Sequence, residues 1–122
     1  MKANLSTLTD TQLRLRFEAL CLEQEKWIEP ENTRKYNKLF SDIKDVVDEL
    51  KGRPGDARHI LIPYLHHPNW QVRVVTGQYV YALAPEEARP VLQWFRTSGH
   101  GYYQLEAGMF LSGIETGEFY PN

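Results

Sequence analysis

Two groups of residues in this chain have side chains that could do chemistry. One is the adjacent pair His66 and His67. The other is Glu106, Glu115 and Glu118, which lie close in sequence to His100, Tyr102 and Tyr103. The histidines could ligate a metal ion, and the glutamates with a nearby imidazole or phenol could supply a general acid and base. The histidines lack the spacing that a metal site needs. Neighbouring side chains rarely reach one ion together, and no cysteine or carboxylate lies at ligand spacing from the histidines, so no metal is expected. A polar turn followed by a polar tail accounts for the glutamates. No G-x-S-x-G, H-E-x-x-H or C-x-x-C run occurs, and these are the patterns that would place a nucleophile, a zinc ion or a redox pair. Lys51-Gly52-Arg53-Pro54-Gly55-Asp56 has glycines but no G-K-[ST] and no preceding strand, so it reads as a turn and not as a phosphate loop. Cys21 falls on an apolar stripe beside Leu20 and reads as a small core residue. The expectation is a protein with no cofactor that is not an enzyme.

The elements that would position these residues are helical. Thr9-Asp10-Thr11-Gln12 has the form of a capping box, and a helix to about Lys26 follows with Leu13, Phe17, Leu20 and Cys21 on one face. Pro30 breaks it. A second helix, about 33–50, carries the stripe Tyr36, Leu39, Phe40, Ile43, Val46, Val47 and Leu50 opposite a face of mixed charge. Gly52 is placed to end it in the left-handed conformation, and Asp56 to cap a third helix over about 57–65, which Pro63 kinks or shortens. Asn69 caps a fourth helix, about 70–83. Here Val72, Val75, Thr76, Tyr79 and Leu83 read as core, while Trp70, Val74, Gly77 and Tyr81 fall on the other side. A helix with two apolar faces is either sandwiched or shows one face to a partner. Pro85 opens a fifth helix with Ala88, Val91, Leu92 and Phe95 inward, and a sixth covers about 102–114. The aromatics of the tail could pin it to the domain.

Residues 56–118 can be laid over themselves at an offset of 31: Ala57 on Ala88, Leu61 on Leu92, Gly77 on Gly108, Val80 on Leu111. A period of that size marks stacked helical pairs. The fold expected is all-α, a HEAT/ARM-like α-superhelix of about six helices in one domain, 1–122. It would comprise a helical hairpin (1–52), two stacked helix pairs (53–115) and a tail (116–122).

At 122 residues the chain can bury a real core. Its net charge of −2 gives no overall basic field, so nucleic acid is a disfavoured partner. Arg53, Arg58, Arg73, Arg89 and Arg96 are the basic residues a nucleic-acid stripe in the second half would have to use. The single cysteine allows no intrachain disulfide, Met1 to Leu5 lead into polar residues with no signal-peptide core, and no apolar run could span a bilayer. A cytoplasmic protein without a membrane partner is expected.

The run His67-Pro68-Asn69-Trp70-Gln71-Val72-Arg73 resembles the turn and second-helix start of HEAT-type repeats, where Val-Arg opens the inner helix. A wider set of residues resembles a small bacterial HEAT-like domain family of unknown function. It comprises residues 53–58, 67–73, 84–89, Glu106-Ala107-Gly108 and Gly117-Glu118-Phe119. Such domains are similar to immunity proteins of polymorphic and contact-dependent growth-inhibition toxin systems. The resemblance implies a protein-binding module that neutralises a cognate toxin domain, such as a nuclease, and supplies no catalytic residues. The alternatives are a general HEAT-like adaptor or scaffold, or a HEAT-like nucleic-acid-binding protein or enzyme. The density of aromatics and the second apolar face of the fourth helix, which adds Val74, give the candidate partner-binding residues: Trp70, Val74, Tyr81, Trp94, Tyr102 and Tyr103.

Overall fold

A polar residue at the start of a helix can satisfy backbone donors that the helix leaves open, and two such caps set the frame of this fold. Thr9 Oγ1 accepts from the Gln12 amide at 3.1 Å while Gln12 Oε1 accepts from the Thr9 amide at 2.8 Å, closing the expected capping box. Asn69 Oδ1 accepts from the Val72 amide at 3.0 Å. A computed structural model describes residues 4–122; the reading of Met1 to Ala3 as free of a targeting segment lies outside them. The described residues are all-α, with no strand among them. The α-helices are α1 (Asp10–Glu25), α2 (Thr33–Lys51), α3 (Trp70–Val80), α4 (Pro85–Arg96) and α5 (Gly101–Glu115). Short 3-10 helices cover Leu5–Thr7 and Pro30–Asn32, and a longer one covers Ala57–His66. No helix of the described residues is long and apolar enough to cross a membrane.

The chain divides into two compact units, the second being Leu61–Asn122. The boundary lies eight residues beyond the 52/53 division expected. In the first unit α1 and α2 form the hairpin. Leu13, Phe17 and Cys21 of α1 and Leu39, Ile43, Val46, Val47 and Leu50 of α2 are buried. Each large member of that set contributes about 1.5–3 kcal/mol by leaving water. Burial also pushes the Cys21 thiol far above its ordinary range, which leaves it unreactive. Phe40, expected on the core stripe, is 48% exposed, and Gln24, expected nowhere, is buried. Arg53 ties the entry segment down, donating to Asp10 Oδ1 (2.8 Å), Glu49 Oε2 (3.0 Å) and the carbonyl of Leu8 (2.7 Å).

Two local expectations are corrected. Gly52 ends α2 at φ −75°, and the left-handed conformation falls instead on Gly55 (φ 76°) and Asp56 (φ 55°). The third helix is 3-10 throughout, ten residues long. Pro63 has no amide hydrogen and its ring crowds the preceding turn, so an α-helical register is broken in the middle of the segment. Asp56 still caps its start, accepting from the Arg58 amide at 3.2 Å.

In the second unit α3, α4 and α5 each pack against the other two. Most of α3 is buried: Gln71, Val72, Val74, Val75, Thr76, Gly77 and Val80 are all shielded from solvent. The apolar residues of two faces are therefore explained by sandwiching, and Val74, expected on a partner-facing surface, is 1% exposed. At Gly77 a Cβ would meet Leu92 Cδ2 at 2.9 Å, so glycine is what lets α3 approach α4. Gly108, its repeat counterpart, would place a Cβ no nearer than 3.9 Å to Arg96 Cγ and serves no such approach. Leu83 is 37% exposed and not core, because α3 ends at Val80 and the chain turns there, the Leu83 amide bonding the Val80 carbonyl. The tail is pinned by Phe119, whose ring lies where a Cβ of Gly113 would be.

Candidate partner-binding site

Three helix termini of the second unit meet around Trp70. The Asn69 cap fixes Trp70 as the first residue of α3. Asn69 is itself held, its amide donating to His67 Nδ1 at 2.9 Å, while Arg73 Nε donates to the His67 carbonyl at 2.9 Å. Trp94 and Phe95 occupy the last turn of α4, Gly99 (φ 77°) turns the chain back, and Tyr102 and Tyr103 fall in the first turn of α5. The Trp70 ring then contacts four others. Its centroid lies 5.6 Å from Trp94, 5.8 Å from Phe95, 4.5 Å from His100 and 5.6 Å from Tyr103. Tyr103 meets Phe95 at 5.7 Å and Tyr102 at 5.0 Å. Most of these pairs are edge-to-face, the arrangement that the ring quadrupole favours and that adds about 0.5–1.5 kcal/mol per pair beyond burial.

The base of this pile is core: Phe95 is fully buried. Its top is open, with Trp94 50% exposed and Trp70, Tyr102 and Tyr103 half-buried. Four of the six residues expected to bind a partner, Trp70, Trp94, Tyr102 and Tyr103, are thus brought together on rigid helix ends. Phe95 and His100 complete the cluster and were not among the candidates. No short spacing in the sequence connects Trp70 to residues 94–103, so only the three-helix packing reveals the set.

Val74 and Tyr81 do not join it. Tyr81 is only 9% exposed. Its ring lies 5.6 Å from Phe110, which in turn lies 5.3 Å from Phe119, and its hydroxyl accepts from Arg89 at 3.2 Å. Arg89 also donates to Glu115 at 2.7 Å, and Arg96 holds the same carboxylate through two bonds at 3.0 and 2.9 Å. The two guanidiniums draw the Glu115 pKa down to about 2.

The possible acid–base set is dispersed in the same way. Glu115 is clasped by arginines, Glu118 accepts from the Thr116 hydroxyl at 3.1 Å, and His100 lies against Trp70. Glu106 accepts a hydrogen bond from Gln78, while burial raises its pKa above the ordinary carboxylate value. His67 is engaged by the Asn69 amide and by the Tyr64 ring at 5.5 Å. Among the described residues no group of three or more His, Cys, Asp or Glu side chains is arranged to hold a metal ion.

The architecture has a close counterpart of known structure. The crystal structure of the protein RPA1889 from Rhodopseudomonas palustris CGA009 is similar at 31% identity, covering 99% of this chain and 100% of that one, with a TM-score of 0.92. No curated protein matches the chain. Residues 11–115 match a domain of unknown function, DUF2019. With most of its length inside that match, the chain belongs to the DUF2019 family.

Proposed function

We propose that the protein is a non-catalytic binding module whose aromatic helix end seats a partner polypeptide. The observation that carries this reading is Trp94, half exposed on a pile of rings whose base is fully buried. A tryptophan in that position offers a large apolar surface at little cost in side-chain freedom, because its neighbours already hold it. Following the resemblance of the sequence to immunity proteins, the partner is a cognate toxin domain, such as a nuclease, that the module neutralises in the cytoplasm. A general adaptor would use the same surface for another protein.

The arginines weigh against the nucleic-acid alternative. Arg53, Arg58, Arg73, Arg89 and Arg96 all spend donors within the chain, on Asp10 and Glu49, Asp56, the His67 carbonyl, and Glu115 twice. A phosphate-tracking stripe needs such groups free to displace counterions. The test is binding and survival: the purified protein is titrated against toxin domains encoded beside its gene, and cells expressing each toxin are scored with and without it. Tight binding together with protection supports the toxin reading. Binding without protection favours the adaptor, and the absence of either ends the immunity proposal.

A further inference from the structure

Charge is unevenly shared between the two ends of the second unit. Its carboxylates are Glu86, Glu87, Glu106, Glu115 and Glu118. Glu86 and Glu87 open α4, Glu115 ends α5 and Glu118 follows it, so these lie away from the aromatic end. Glu106, inside α5, accepts from Gln78. The segments that build the aromatic end, 66–73 and 94–103, contain no aspartate or glutamate; they carry Arg73, Arg96, His66, His67 and His100. Of the arginines in this unit, Arg89 and Arg96 share Glu115. Arg73 has no carboxylate partner among the described residues. Its side chain runs back along α3, as helical side chains do, and Nε donates to the His67 carbonyl at 2.9 Å. That bond fixes the half-buried guanidinium beside the turn that enters α3. A carbonyl does not balance its charge, and its Nη groups make no bond among the described residues.

We infer that Arg73 pairs with a carboxylate of the partner, so the polypeptide that covers the aromatic end presents an aspartate or glutamate beside its apolar contact. The inference rests on the aromatic end being the binding surface. A partner seated on Trp70 takes water from the whole start of α3, where the Arg73 guanidinium lies. A guanidinium that loses water with no opposing charge weakens the complex, whereas one that meets a carboxylate forms two parallel charge-assisted bonds. The bond to the His67 carbonyl already holds the fork, so little side-chain freedom is lost on pairing. No carboxylate of the surrounding segments competes for it. One guanidinium among rings suits one carboxylate of a polypeptide; a nucleic-acid strand would need a row of them.

The test needs no identified partner. The whole chain, isotope-labelled for magnetic resonance, is titrated to millimolar concentration with the peptide acetyl-Leu-Glu-Leu-Glu-Leu-amide and with the same peptide carrying glutamine for glutamate. The glutamate peptide should shift the Arg73 Nε–H and Trp94 indole N–H resonances together, and the glutamine peptide should move neither. Roughly 1 M salt, where the screening length is about 3 Å, should erase the shifts. Arg73→Gln removes the charge and should leave the Trp94 resonance unmoved by either peptide. Arg73→Lys keeps the charge without the fork and should retain a weaker shift. Equal shifts from both peptides overturn the inference while leaving the surface as a binding site. Shifts from neither peptide, or an undiminished response in Arg73→Gln, also overturn it. So does an equal loss in Arg73→Gln and Arg73→Lys with lowered melting temperatures, which marks the His67 bond as merely structural. Whether the surface binds a toxin domain is decided apart from this, by the titration against such domains.

Discussion

The two ends of α3 each carry an aromatic side chain, and the two are held in different ways. Trp70, at the first residue, is surrounded by other rings and sits beneath a half-exposed Trp94. Tyr81, just past the last residue, is covered by Phe110 and fastened through its hydroxyl to Arg89. Eleven residues of helix bring them to the same side, so orientation does not distinguish them; their neighbours do. The difference lies in satisfaction. Tyr81 has both its apolar body and its polar tip occupied, and has nothing left to offer a partner. The pile around Trp70 has a buried base and an apolar top in water, the condition under which binding gains most.

The contrast can be broken from beneath. Phe95→Ala removes the fully buried ring on which Trp70, Trp94 and Tyr103 rest. It should destabilise by about 3–5 kcal/mol, read as a shift in the denaturant midpoint with little change in slope. A smaller effect is expected at the waist of α3. Gly77→Leu must displace Leu92, which is fully buried, and should cost about 1–3 kcal/mol. Gly108→Ala at the equivalent repeat position should instead gain roughly 0.5–1 kcal/mol. Thermal melts of the two variants should therefore move in opposite directions.

The other end of α3 should respond less. Tyr81→Phe keeps the ring and loses only the Arg89 bond, so the melting temperature should fall by a few degrees at most. Glu115→Gln sharpens the comparison through pH. The folded carboxyl titrates at about 2 against an ordinary 4.5, so its ionised form is favoured by folding. That stabilisation is fully present above pH 4.5 and is lost as pH falls toward 2. Wild type should therefore exceed the variant in stability near neutrality, with the gap closing across that window and narrowing in high salt. A gap that stays constant from pH 6 to pH 2 would contradict the arginine clasp.

Much of this fold is written in local sequence. Thr9 and Asn69 announce their helices because a cap is a contact between near neighbours. The α1 and α2 stripes announce a hairpin because one face of each is polar. The repeat is also real where it marks burial: Ala57 and Ala88, Leu61 and Leu92, and Val80 and Leu111 are all core. It fails at Gly77 and Gly108, since only the first has a helix pressed against it. Val74 and Tyr81 were misplaced because periodicity sorts the sides of a helix without saying how many of them will be covered. The change of Ala57–His66 to 3-10 geometry was legible only as a kink at Pro63. The aromatic pile was half visible: its members stood out by type, but their meeting depends on three helices whose ends lie far apart in sequence.

The central claim, that the aromatic end of α3, α4 and α5 is the binding surface, is tested most directly by the affinity of Trp94→Ala for the partner, measured beside Tyr81→Phe with both variants shown to be folded. Truncation of an anchor at the centre of an interface costs about 2 kcal/mol or more, roughly thirtyfold in Kd. The account predicts that loss for Trp94→Ala and an affinity within about twofold of wild type for Tyr81→Phe. Full affinity in Trp94→Ala, or the larger loss in Tyr81→Phe, would contradict it.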